Sequence, residues 1–192
     1  MKRIKTLLFP LVVLLFTGCG AFGENYEAAT FTVDGGQAIM EGVIDGTTPD
    51  RVDALINDHP DVITIVMQQV DGSADDEANI EAARMVRSHG FNTHVPADGE
   101  IASGGVDFFL SGVGRTVDAG AQLGVHSWAA GDGTTGADVP ESDPQHKLYL
   151  DYYAEMGIPA EFYWFTLDAA PAESIHWMTP EEIEQYQFVT PP

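Results

Sequence analysis

The chain has 192 residues, 44% of them hydrophobic and 20% charged, which suits one folded domain and excludes a disordered or collagen-like chain. Eight basic residues against 30 acidic ones give a net charge of −22, so the surface repels nucleic-acid phosphates and anionic lipid headgroups. One cysteine excludes both a disulfide framework and a cysteine-built zinc site.

The chain opens with Lys2, Arg3 and Lys5, then an apolar run from Thr6 to Phe16 broken by Pro10. That run is short for a membrane span, and the pattern reads as a signal peptide over residues 1–18. Its ending, Phe16-Thr17-Gly18-Cys19, resembles a bacterial lipoprotein signal, departing from it at Phe16. The resemblance implies cleavage before Cys19, lipidation of that residue and membrane attachment through the lipid. The alternative is an ordinary secretory signal with an incidental cysteine. Gly20 in place of Asp points, by the same resemblance, to an outer-membrane lipoprotein facing the periplasm if the cell is Gram-negative. Loss of 1–18 removes three basic residues and no acidic one, leaving 5 against 30 and a charge of −25. Such self-repulsion fits a saline habitat, and equally an acidic metal-binding protein.

Residues 19–29 read as a tether, and 30–190 as one domain. Phe31–Val33 and Gln37–Ile44 read as strands around Asp34-Gly35-Gly36. A helix follows to about Asn57, with Thr48 as N-cap and Pro49 at its first position. Val62–Met67 is a β-branched run of the kind buried on both faces. Asp71-Gly-Ser-Ala-Asp-Asp-Glu77 superficially resembles a calcium loop but has Ala82 at position twelve, so it reads as a solvated helix start. The helix Asp75–His89 turns Ile80, Ala83, Met85 and Val86 inward and ends at Gly90. Phe91–Val95 is a strand, Ile101–Leu110 a buried helix, and Val113–Val117 and Gln122–His126 are strands. Ala129–Asp143 reads as an exposed loop or lid. Helices are expected over Asp143–Met156 and Ile158–Leu167, a short one from Thr179, and an edge strand at Phe188–Thr190. The alternation predicts an α/β single-domain fold with βαβ crossovers and mostly parallel strands.

Two residues stand out for chemistry. Ser103, in Glu100-Ile-Ala-Ser-Gly-Gly105, sits where a polar loop meets an apolar helix, and helix-start N–H groups beside it would stabilise an oxyanion. His126, ending Leu123-Gly-Val-His126, is placed for a general base. His59, His89 and His94 show no ligand spacing, so no metal is expected. His146 is expected on a solvated face and His176 under the aromatic helix. The stripe Phe162, Tyr163, Trp164 and Phe165 suits either core or a subunit interface, the second of which implies a homo-oligomer.

The order of these segments resembles the Clp protease/crotonase superfamily, especially the proteolytic subunit of the Clp protease. The matching segments are Val62–Met67, Asp71-Gly72, Asp75–His89, Phe91–Val95, Ala102-Ser103-Gly104, Leu110-Ser-Gly-Val-Gly-Arg115, Gly124-Val-His126 and the tail Met178–Val189. The resemblance implies a single-domain Clp-protease/crotonase-like fold, Ser103 as nucleophile, His126 as its base, and Gly72 and Gly104 as oxyanion-hole donors. Asp71 departs from the family pattern beside the hole. The family's third, acidic position falls on Ser174, leaving Asp168 or Glu173 as candidates. Three functions follow: a secreted, lipid-anchored serine hydrolase acting on a peptide or other acyl substrate; a non-catalytic binding or assembly module; or an acyl-thioester enzyme, which secretion argues against. No organic cofactor is implied.

Overall fold

The structure, a computed structural model, describes residues 25–191. The signal 1–18 and Cys19 lie outside the described residues. The first strands, β1 (Thr30–Asp34) and β2 (Gln37–Glu41), form an antiparallel hairpin, with Gly35 at φ 59° in its turn. β2 then pairs in parallel with β3 (Thr64–Val70), across the connecting helix α1 (Thr48–Asp58). Here Thr47, not Thr48, precedes the first turn of α1. Thr48 is buried and its hydroxyl accepts the Asp45 N–H at 3.0 Å, so it staples the loop instead of capping the helix.

β3 is the branch point of the sheet. Its first half pairs in parallel with β4 (Asn92–Val95), which pairs with β6 (Arg115–Val117). Its last residues pair with β5 (Glu100–Ala102), and β5 with β7 (Gln122–Val125), again in parallel. The antiparallel β8 (His176–Trp177) closes this edge. Between β3 and β4 runs α2 (Asp76–His89), capped by the Asp75 carboxylate on the Ala78 N–H at 3.0 Å and stopped by Gly90 at φ 88°. Ile80, Ala83 and Val86 are buried along it and Met85 partly so, as 3.6-residue periodicity requires.

Two expected elements are different. Residues 101–110 are not one helix: β5 ends at Ala102, Ser103 makes the turn, and α3 (Gly104–Leu110) begins after it. Pairing to β3 and β7 on both sides outweighs the helical pattern there. Phe188–Thr190 is not a strand. Phe188 is buried against Phe109 and Phe162, and the tail is held by Arg115. That buried guanidinium donates to the carbonyls of Phe188 (2.7 Å), Gln187 (3.1 Å), Leu110 and Gly112 (both 3.3 Å). The edge strand is β8 instead.

After a 3-10 turn at Pro144–His146, two aromatic helices follow in mutual contact, α4 (Lys147–Met156) and α5 (Ala160–Ala169). The last helix, α6 (Pro180–Gln185), starts with a full capping box between Thr179 and Glu182. Phe162 and Tyr163 are buried while Trp164 and Phe165 are half-buried, so the stripe wraps around a core of rings. Segment 129–143 is a largely exposed loop pinned by a bridge between Ala129 and Thr135. Among the described residues no helix is long and apolar enough to cross a membrane.

Candidate active site

Adjacent parallel strands β3, β5 and β7 end side by side, and the residues that follow them form the floor of one site. Gly72 follows β3, Ser103 follows β5 and His126 follows β7. The carboxyl ends of parallel strands are where open α/β sheets gather ligands, because the helices that follow turn their N-termini there. The Ser103 N–H donates to the Gly124 carbonyl at 2.8 Å, which ties the serine to the strand carrying His126.

Ser103 sits at φ 51°, ψ −128°, backbone space an L-residue rarely occupies, at a cost of about 1–3 kcal/mol. A strained serine on a sharp strand-to-helix turn is the device that exposes the nucleophile in α/β-hydrolases. The Ser103 hydroxyl has no hydrogen-bond partner among the described residues. The glycine after it is sterically required: a Cβ on Gly104 would lie 2.3 Å from the Ser73 Oγ and 2.9 Å from the Asn79 amide nitrogen. Gly72, at φ 141°, needs the same freedom. Its carbonyl accepts the Ile44 N–H at 2.9 Å, while its own N–H has no acceptor among the described residues. Segment 72–73 and the N-terminus of α3 thus meet beside Ser103, with the Gly104 N–H in the first, unpaired turn of that helix.

Ser103 and His126 line one cavity, together with Gly104, Asp76, Asp107, Trp128, Tyr149, Tyr153, Phe162 and Tyr163 among others. It is partly open and has a volume of about 40 Å³, room for roughly three waters. His126 Nδ1 lies 2.8 Å from the Ser127 carbonyl oxygen. A carbonyl only accepts, so Nδ1 carries the proton and the neutral ring leaves Nε2 as its free acceptor. Burial pushes the His126 pKa down, against smaller opposing effects from the Ser127 carbonyl, Asp76 and Glu173, and so favours that neutral ring. No direct Ser103–His126 hydrogen bond is formed.

Neither acid singled out for the third position bonds to the imidazole. Asp168 and Glu173 are both exposed, and Nδ1 is satisfied by main chain instead. Asp71 does not crowd the hole. It is exposed, and Gln69 donates to its carboxylate at 2.7 Å. His146 is not on a solvated face: it is buried, Nε2 donates to the Pro140 carbonyl at 3.1 Å, and Nδ1 meets the Tyr163 hydroxyl at 2.6 Å. His176 does pack on the aromatic helix, against Phe165, with Nε2 2.9 Å from Glu182. Among the described residues no three His, Cys, Asp or Glu side chains are grouped to hold a metal ion.

Two carboxyls to which the sequence gives no catalytic or binding role join the site, one of them, Asp76, from the helix start expected to be solvated. Asp76, half-buried, accepts from the hydroxyls of Ser73 and Tyr149, the latter at 2.5 Å. Asp107 accepts from the Tyr153 hydroxyl at 2.5 Å, and burial, with Asp76 nearby, pushes its pKa up to about 7. A signal for Asp107 was present: it is the sole charge in the apolar run 101–110. Asp76 was hidden among the acidic residues of the helix start.

This branched, mostly parallel sheet with flanking helices is the fold of the Clp protease/crotonase superfamily. Among solved structures the chain is similar to a mutant of the 1510-N membrane-bound stomatin-specific protease in complex with a substrate peptide, with a TM-score of 0.51 and 15% identity. That match covers 77% of this chain and 71% of the protease. It is similar also to an enoyl-CoA hydratase from Polaromonas sp. JS666 (TM-score 0.51, 11% identity, 85% of this chain and 69% of that one). A third is the human enoyl-coenzyme A hydratase domain-containing protein 3 (TM-score 0.50, 8% identity, 84% and 69%). No protein-family model and no curated protein sequence matches the chain. At these identities the likeness concerns the fold, which is found in a protease and in enoyl-CoA hydratases alike.

Proposed function

We propose that this chain is a peptidase-like serine hydrolase of the cell envelope, lipid-anchored through Cys19, acting on a peptide or other acyl substrate. The observation that carries the reading is Ser103 itself, held in strained backbone with an unpartnered hydroxyl, in one cavity with His126. The Ser103 Oγ attacks the substrate carbonyl carbon while His126 Nε2 takes its proton. The carbonyl oxygen becomes an oxyanion facing the N–H groups of Gly72 and Gly104. The carbon–leaving-group bond then breaks, and the leaving group receives the proton from Nε2. Water, deprotonated by the same nitrogen, attacks the acyl-enzyme, and Ser103 Oγ recovers its proton. The Ser127 carbonyl holds the tautomer this cycle needs, in the place where an aspartate would also stabilise the imidazolium.

The test is labelling of the purified chain by a fluorophosphonate, in dilute buffer and in molar salt, with the label mapped by mass spectrometry. Labelling at Ser103 that vanishes in Ser103→Ala and His126→Ala supports the hydrolase. A folded wild type that stays unlabelled in both buffers overturns it in favour of a binding module, the reading that the missing carboxylate at His126 favours.

A further inference from the structure

The cavity wall facing Ser103 has a composition that acyl transfer alone does not use. Asp76 and Asp107 both line it. Their hydrogen-bond donors are neutral hydroxyls: Ser73 and Tyr149 on Asp76, Tyr153 on Asp107. No basic side chain of the described residues serves either carboxyl. Arg84 pairs with Glu155 and Lys147 with Asp151, while Arg51, Arg87 and Arg115 donate to main-chain carbonyls. Two carboxyls in a confined space without a cation are costly, since neither burial nor like charge is compensated. The rest of the lining is mostly aromatic, from Trp128, Tyr149, Tyr153, Phe162 and Tyr163, with Val106, Val125 and Thr166 between them. Aromatic faces attract cations and leave neutral polar groups unsatisfied.

Carboxylates set among aromatic rings make the chemistry of an ammonium pocket. A volume of about 40 Å³ beside Ser103 admits an aminomethyl or aminoethyl head. We propose that this cavity binds the ammonium group of the acyl part of the substrate, so that Ser103 acts on acyl groups bearing a primary amine a few carbons from the carbonyl. The proposal rests on the hydrolase reading for its catalytic half and on the cavity alone for its binding half. The raised Asp107 pKa agrees with uncompensated negative charge. The groups facing that carboxyl are Tyr149, Tyr152 and Tyr153 from α4, Tyr163 from α5, Asp76 from α2 and His126 after β7, and none is a fixed cation.

Two measurements on the purified chain test the two halves separately. In the first, ethylammonium chloride is titrated at constant ionic strength against sodium chloride, and the Trp128 indole N–H is followed by NMR. Saturable shifts at about tenfold lower concentration than any produced by sodium, lost in Asp107→Asn and Asp76→Asn, support the pocket. No shift beyond the sodium control in the wild type overturns it, whether or not the variants fold. In the second, kcat/KM is compared for the p-nitrophenyl esters of 3-aminopropanoate and butanoate, which differ by an ammonium for a methyl. A preference of about tenfold or more for the amine, abolished in Ser103→Ala, supports the substrate class. Equal hydrolysis of the two esters overturns the inference and leaves the hydrolase standing. Ethylammonium binding without any Ser103 labelling would instead remove the hydrolase and leave the cation pocket.

Discussion

The floor and the wall of the candidate site are built by different means. The floor consists of turns at the ends of β3, β5 and β7, and its working parts are main-chain groups, two glycines and one strained serine. The wall comes from α2 to α5 and from Trp128 in the loop after β7, and its distinctive parts are side chains: two carboxyls and a set of rings. A floor of backbone belongs to the fold, since strand register alone brings Gly72, Ser103 and His126 together. A wall of side chains belongs to the particular chain. On the proposed reading, reaction type resides in the floor, and choice of substrate in the wall.

The largest expected break of this division is Ser103→Ala, which should lower labelling and ester hydrolysis by about 10⁴ or more while fold and ethylammonium binding persist. Circular dichroism and the Trp128 resonance check the second half of that statement.

Asp107→Asn acts on the wall and should do the reverse. The Asp107 carboxyl titrates at about 7 in the fold against its ordinary value of 3.8, so the folded state prefers the neutral acid. Its contribution is present in full below the unfolded value and is lost as pH rises through the folded one. Denaturant unfolding should therefore show the wild type losing stability between pH 4 and 7. The asparagine variant should be more stable above pH 7 by an amount on the order of 4 kcal/mol. A cation pocket that is electrostatically strained when empty predicts this gain in stability together with loss of binding.

Gly104→Ala returns to the floor. With a Cβ 2.3 Å from the Ser73 Oγ, the turn must shift, and a cost of about 1–3 kcal/mol is expected with loss of labelling. Thr179→Ala lies in neither region. Removal of its capping box should cost about 1 kcal/mol in unfolding experiments and leave the labelling rate unchanged.

The same division explains what was legible in the sequence. The β-branched run at 62–67, the Asp75 and Gly90 caps and the small-residue turn at 102–105 are local signals, and they located the strands, α2 and Ser103. The wall arises from long-range packing. Asp107 meets Tyr153 across 46 positions and Asp76 meets Tyr149 across 73, separations that no local pattern reports. His146 departs from the expected solvated face for the same reason: its partner Tyr163 lies 17 residues on, in α5. The 101–110 run misled because β5 is only three residues long, and its pairing on both sides decides its conformation.

The central claim is that a neutral His126 activates Ser103, and the rate of fluorophosphonate labelling as a function of pH tests it most directly. Burial lowers the His126 pKa from its ordinary 6.5, so the wild-type rate should rise along a limb with its midpoint below 6.5 and be level through pH 7 to 8. His126→Gln should remove both the limb and most of the rate. A labelling rate that is insensitive to pH, or unchanged by loss of His126, would contradict the claim.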